Sequence, residues 1–201
     1  MQIMEIAELD KKRMRIVLED RSSFALYKGE ARQYGLQQGE ELSEELFEEI
    51  CEKVLVKRAR KRAMHLLQRM DRTEAQIRTK LALGLYPDDV IDSAVDYVKG
   101  YRYVDDLRYA QNYVRNHKEK KSRRKIYMEL LGRGISSELA QQAVEEEFQQ
   151  ENEEQLIRQW IEKKKYSPQT ADLKEKQRMC QFLMRKGFAL NDILRTLEHL
   201  T

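Results

Sequence analysis

Cysteine, proline and histidine are scarce in this chain: 2, 2 and 3 residues of 201. Cys51 and Cys180 stand alone and far apart, so they suggest no disulfide framework and read as reduced, partly buried thiols. The three histidines lack metal-ligand spacing. No apolar stretch approaches the roughly 20 residues that span a bilayer. The N-terminal MQIMEIAELDKKRMR has no secretory apolar run. A cytoplasmic monomer with no membrane partner is expected. GxGxxG, Walker, HExxH and nucleophile-elbow motifs are absent as well. The expectation is therefore a non-enzymatic chain with no cofactor, metal or catalytic residue.

What is abundant is charge, at 36% of residues, and helix-forming Glu, Lys, Arg, Gln, Leu and Ala. The net charge is only +3, so any acidic partner must be met by local clusters.

Residues 1–40 read as a β-rich element. Met14, Ile16 and Leu18 alternate with charged residues, Phe24 and Leu26 alternate again, and Glu19 to Ser22 forms a polar turn. This period of two predicts a β-hairpin, with Ile3 to Leu9 as a third strand packed on a helix. Gly29, Gly35 and Gly39 mark a loose connection with one helical turn.

Ser43 to Asp71 reads as helix. At about 100° per residue, Ala59, Ala63, Leu66, Leu67 and Met70 share one sector, beside a stripe of Arg58, Arg62, Arg69 and Arg72. Upstream, Leu46, Phe47, Ile50 and Val54 project to the opposite side. Either the helix breaks near Val54 to Lys57, or one long helix packs both faces. The stretch Glu40 to Glu52 holds seven acids and no base, which suits a helix N-terminal half.

After Asp71 the chain repeats. LALGLYPDDVIDSAV from Leu81, LLGRGISSELAQQAV from Leu130 and LMRKGFALNDILRTL from Leu183 superpose at offsets of 49 and 53 residues. Ile77, Ile126 and Met179 form one column, and Leu81, Leu130 and Leu183 another. Tyr86, Ile135 and Phe188 mark the turn. Ala94, Ala143 and Thr196, then Val95, Val144 and Leu197, close the set. Thr73 to Gln76 is a capping box, and Pro87 with Asp88 and Asp89 starts a helix. Gly134 and Gly187 are expected in the left-handed conformation. Leu85 breaks that column, which points to a different first turn.

The chain is thus expected to be mainly α, with tandem three-helix repeats in an elongated curved array and a small N-terminal sheet. The boundaries are 1–40, 41–104 with a long leading helix, 105–150 and 151–201. Three-helix units of this size bury too little alone and gain from stacking.

Asp105–Asp106 and Asp88–Asp89 read as helix starts. His117 reads as a packed boundary residue, His65 as solvated and Trp160 as core. Most of Tyr97, Tyr101, Tyr103, Tyr109 and Tyr113 are expected to fill the junction between the first two repeats. The functional signal lies in basic runs: Lys57 to Arg62 has five cations in six residues, and Lys118 to Lys125 six in eight. Lys163 to Lys165 and Arg185–Lys186 follow. Glu145, Glu146, Glu147, Glu151, Glu153 and Glu154 gather elsewhere. Such segregation suits a surface that meets nucleic acid or an acidic protein groove. Six cations on phosphate would lower affinity about a thousandfold between about 50 and about 200 mM salt.

YRYVDDLRYA at Tyr101 to Ala110 is similar to a G-[YF]-[IVL]-D-D-x-x-[FY]-A stretch of the bacterial RecX regulatory proteins. DRTEAQIRTKL from Asp71 and SRRKIYMELLGRGI from Ser122 also resemble that family, over about residues 57 to 200. Arg102 and Tyr103 shift the spacing after Gly100, and the first-turn glycine is displaced to Gly84. The N-terminal hairpin lies outside the family's core pattern. The resemblance implies a modulator of the RecA recombinase that lies in the groove of the RecA–DNA filament. It would restrain ATPase and strand exchange, with single- or double-stranded DNA as a further partner. Arg58, Arg62, Arg69, Arg72, Lys118, Lys120, Lys121, Arg123, Arg124, Lys125, Arg185 and Lys186 are the expected contacts. The alternative reading is a general DNA- or RNA-binding helical module.

Overall fold

The computed structural model describes residues 1–148 and 153–200. The chain divides into two compact units, Met1–Asp105 and Asp106–Thr201.

The first unit opens with an antiparallel sheet in the order β1 (Ile3–Glu8), β2 (Arg13–Leu18), β3 (Ser23–Tyr27). The pairing sets Ile16 opposite both Ile6 and Phe24. The alternation therefore puts Ile3, Ile16, Leu18, Phe24 and Leu26 into the core. The expected hairpin and third strand are both present. The one-turn connection is α1 (Lys28–Gln33).

Next comes α2 (Glu44–Ile50), whose start is capped by Ser43 Oγ accepting from the Leu46 N–H at 3.2 Å. A π-helical segment, Cys51–Leu55, joins it to α3 (Val56–Leu67). Across that segment the Val56 N–H donates to the Cys51 carbonyl, a five-residue step. The helix is therefore unbroken, and the phase gap expected near Val54 is closed by winding. Ile50, Leu55, Ala59 and Ala63 are all buried along it. Phe47 packs edge-on to Phe24 of the sheet at 5.3 Å. Met70, expected on the apolar stripe, is 57% exposed because α3 ends at Leu67.

Helices α4 (Glu74–Ala82) and α5 (Asp88–Gly100) complete this unit. Thr73 is fully buried and makes the capping box with Gln76. Sheet and helices share one core, from Ile3 to Val104. Tyr97 packs against that core, but Tyr101 and Tyr103 are 62% and 48% exposed. These two stack on one another in the loop after α5 and are not buried as expected.

The second unit holds two three-helix sets. In the first, α6 (Asp106–His117), α7 (Arg123–Leu131) and α8 (Ser137–Glu147) enclose Ala110, Val114, Ile126, Leu130, Ala143 and Val144. In the second, α9 (Glu153–Lys163), α10 (Leu173–Arg185) and α11 (Leu190–Glu198) enclose Leu156, Ile157, Leu183, Phe188, Ile193 and Leu197. The repeat columns are core columns: Ile77, Ile126, Leu81, Leu130, Leu183, Ala94, Ala143 and Thr196 are inaccessible. Thr196 satisfies its hydroxyl on the Asp192 carbonyl at 2.7 Å. His117 is half-buried, stacked on Tyr113.

The turn column corrects one expectation. Gly134 and Gly187 have φ of 81° and 96°, and Leu85 adopts the same conformation at φ 58°. The first turn is thus the same turn without its glycine. Gly84 is needed for another reason: a Cβ there would sit 2.9 Å from the Tyr86 ring. A left-handed leucine is strained by about 1 kcal/mol. Its side chain is not among those packed on the core. Leu85→Gly should raise stability by about 0.5–1 kcal/mol in denaturant unfolding.

Candidate functional site

The basic run Lys118 to Lys125 does not act as one patch. It crosses the start of α7, and its members part there. Lys118 Nζ donates to the Glu147 carbonyl at 3.2 Å. Arg123 lies over the Phe148 ring at 5.5 Å, and its N–H donates to Glu153 at 3.1 Å. Arg123 and the exposed Arg124 border a hollow beside Tyr127, Val144 and Glu145. Lys125 is half-buried, its N–H donating to Ser122 Oγ.

Lys120 and Lys121 turn the other way, toward the third helical set. The α10–α11 turn is pressed against the start of α7, with the Ser122 N–H donating to the Lys186 carbonyl at 3.1 Å. Gly187 makes this approach possible. A Cβ there would fall 2.4 Å from Ser122 Oγ and 2.5 Å from Lys125 Cβ. The contact delivers Lys186 into a group with Lys120, Lys121, Lys163 and Lys164. Burial, then repulsion from Lys121, Lys163, Lys164 and Lys120, holds the Lys186 ammonium below its ordinary pKa.

Beneath these lysines lie Trp160 and Phe182, edge to face at 5.4 Å. Lys186 sits 4.3 Å and Lys163 5.1 Å from the Trp160 ring, and Lys164 4.9 Å from the Phe182 ring. Trp160 is half-buried, so it is a platform as well as a core edge. A cleft of about 490 Å³ opens beside it, lined by Glu119, Lys120, Gln155, Gln159, Trp160 and Lys163. Lys163 and Lys164 were legible only as a charge run, and Trp160 only as core.

Lys121 is anchored from behind by Glu129 at 2.7 Å, which also accepts from the Tyr113 hydroxyl at 2.6 Å. Burial alone would raise the Glu129 carboxyl, but hydrogen bonds from Lys121 and Tyr113 outweigh it and hold it below 4.5. A lowered carboxyl pKa stabilises the fold above the unfolded value and loses that contribution as pH falls through the folded one. Glu129→Gln should therefore destabilise the protein at neutral pH and flatten its acid unfolding below about pH 4.5, read by thermal melts across pH.

The acidic cluster is engaged internally. Glu147 pairs with Arg115 at 2.5 Å, Glu146 accepts from Gln111 and Gln142, and Glu154 pairs with Arg158 at 2.8 Å. Glu151 lies outside the described residues.

The arginine stripe of α3 also divides. Arg58 is bound to Glu30, donates to the Ala25 carbonyl at 3.2 Å and covers the Tyr27 ring at 4.4 Å. That makes it an internal anchor. Arg62 and Arg69 are exposed, and Arg72 is half-buried with no partner for Nε among the described residues. Arg185 is exposed on α10.

Three family models match this chain in sequence order. RecX, first three-helix domain, matches residues 59–97; the second, 105–144; the third, 151–197. The Regulatory protein RecX of Caldanaerobacter subterraneus subsp. tengcongensis is 34% identical over 165 residues, 82% of this chain and 81% of the relative. The chain belongs to the RecX family. The Regulatory protein RecX of Vibrio campbellii is 32% identical over 136 residues, 67% of this chain and 86% of that one. A crystal structure of regulatory protein RecX superposes with a TM-score of 0.60 at 26% identity, covering 95% of this chain and 96% of that one. By name RecX is a regulatory family, consistent with a protein partner. Residues 1–58, with the sheet, lie outside the three domain matches. Among the described residues no helix is long and apolar enough to cross a membrane, and no group of metal-ligating side chains occurs.

Proposed function

We propose that this chain binds the RecA–DNA filament without catalysis of its own and restrains its ATPase and strand exchange. The supporting observation is the lysine group around Lys186. Five like charges gather there, with burial opposing the charge on Lys186, an arrangement that an acidic partner relieves. Arg123 and Arg124, which border the separate hollow beside Tyr127, and Arg185 are further contacts in the second unit. In the first unit Arg62 and Arg69 are separate contacts of their own, and Arg58 is an anchor. The reading has the protein act in the cytoplasm as a monomer.

A second reading, a general DNA- or RNA-binding module, is favoured by one feature, the Trp160–Phe182 platform under the lysines. DNA-dependent RecA ATPase, titrated with this protein below one copy per RecA, separates the two. Inhibition at substoichiometric ratios is expected. Inhibition only when the protein saturates the bare DNA would favour the second reading, and none at any ratio would overturn the first.

A further inference from the structure

The first unit contains a second basic hollow that the lysine group does not explain. It measures about 610 Å³ and lies between β3, α3 and the α4–α5 turn. One wall is a helical face with the spacing i, i+3, i+4, i+7: Arg58, Lys61, Arg62 and His65. Lys80 stands on α4, and Arg13 enters from β2. No carboxylate lines it.

Two of these cations are already matched. Arg58 is held by Glu30, and Arg13 by Asp10 at 2.8 Å. Lys61, Arg62 and Lys80 are exposed, and no ion pair involves them among the described residues. The rim is apolar. Leu83 is 73% exposed there, and the half-buried Tyr86 forms part of the floor. Gly84 leaves room for that ring, since a Cβ there would fall 2.9 Å from it.

Unpaired cations from two helices, facing one hollow of ligand size, suit a compact anion with several charges in a small volume. Phosphate groups fit that description better than peptide carboxylates, which carry one charge each. An exposed leucine beside a tyrosine suits a base. We propose that this cleft is a nucleotide site, with Lys61, Arg62 and Lys80 taking the phosphates and Leu83 and Tyr86 the base. Its ligand is a free nucleoside polyphosphate. The site goes beyond the filament reading, because it needs no recombinase.

The test uses the full chain alone, at low salt, with ATP and a fluorescent oligothymidylate as separate probes. The variant Lys61→Glu/Arg62→Glu is compared with Lys174→Glu/Lys176→Glu, an equal charge change on exposed residues of α10. The cleft variant should lose about tenfold or more in affinity for ATP, with the α10 variant near native. Loss for ATP, with or without the strand, supports the proposal; loss for the strand alone makes the hollow part of a strand-binding surface and overturns it. Native protein that does not bind ATP, or a cleft variant no weaker for ATP than the α10 variant, also overturns it. Because RecA is absent, either failure leaves the filament reading untouched. Lys61→Gln/Arg62→Gln, which removes charge without adding acid, should show the same selectivity if the reversed variant folds poorly.

Discussion

Gly187→Ala should destabilise the second unit by about 2–5 kcal/mol. Two effects add. At φ 96° a side chain is strained, an effect of about 1–3 kcal/mol. The new Cβ would also meet Ser122 Oγ at 2.4 Å and Lys125 Cβ at 2.5 Å. Neither neighbour yields easily. Ser122 is fully buried and caps α7, and Lys125 Cβ is fixed to that helix's first turn. Gly35→Ala is the comparison, with φ 64° and nothing within 4 Å of its Cβ. It should show only the backbone effect, about 1 kcal/mol. Equal losses in chemical denaturation would mean that the α10–α11 turn does not rest on α7 as described.

The second large effect concerns binding, and its sign differs from the effect on folding. Lys163→Gln, Lys164→Gln and Lys186→Gln together remove three charges from the crowded group. Burial, then repulsion, depresses Lys186, so the folded state carries a penalty for its charge at neutral pH, relieved only as pH rises through the lowered pKa. Removing the charge should leave the melting temperature unchanged or higher. Affinity for the RecA–DNA filament should nonetheless fall roughly a hundredfold, and the log–log salt slope should shrink by about 3. Fluorescence anisotropy over a salt series reads both. Unchanged affinity with unchanged slope would remove the lysine group from the interface.

Much of this fold is visible in the sequence because burial repeats. Leu81, Leu130 and Leu183 recur in register, each beside an isoleucine or methionine one turn earlier, and a three-helix unit admits few other arrangements. The hairpin shows for the same reason, through its period of two. The π step left no such mark. Periodicity assumes constant winding, so the five-residue step from Ile50 to Leu55 left a break and one long helix equally open. Leu85 misled in the opposite direction, because a glycine column signals a conformation that leucine also adopts at some strain. The site was legible only in pieces. Lys120, Lys121 and Lys186 stood out as basic runs, but their meeting with Lys163, Lys164 and Trp160 depends on the turn at Gly187. Charge density likewise could not distinguish Arg58, committed to Glu30, from Arg62, one turn away and free to meet a partner.

The π turn at Cys51–Leu55 also decides where this helix can change length. Deleting one residue there would restore ordinary winding and leave the downstream faces in place, because five residues of π winding turn about as far as four of α, whereas one residue lost from α2 would swing everything downstream by about 100°. Arg58 would leave Glu30, and the Lys61–Arg62 face would turn away from the sheet. Surface loops absorb insertions and deletions freely, but this rod fixes the angular setting between two layers. The N-terminal sheet and the first three-helix set are therefore keyed to each other. Either can vary its side chains, and neither can shift its frame alone.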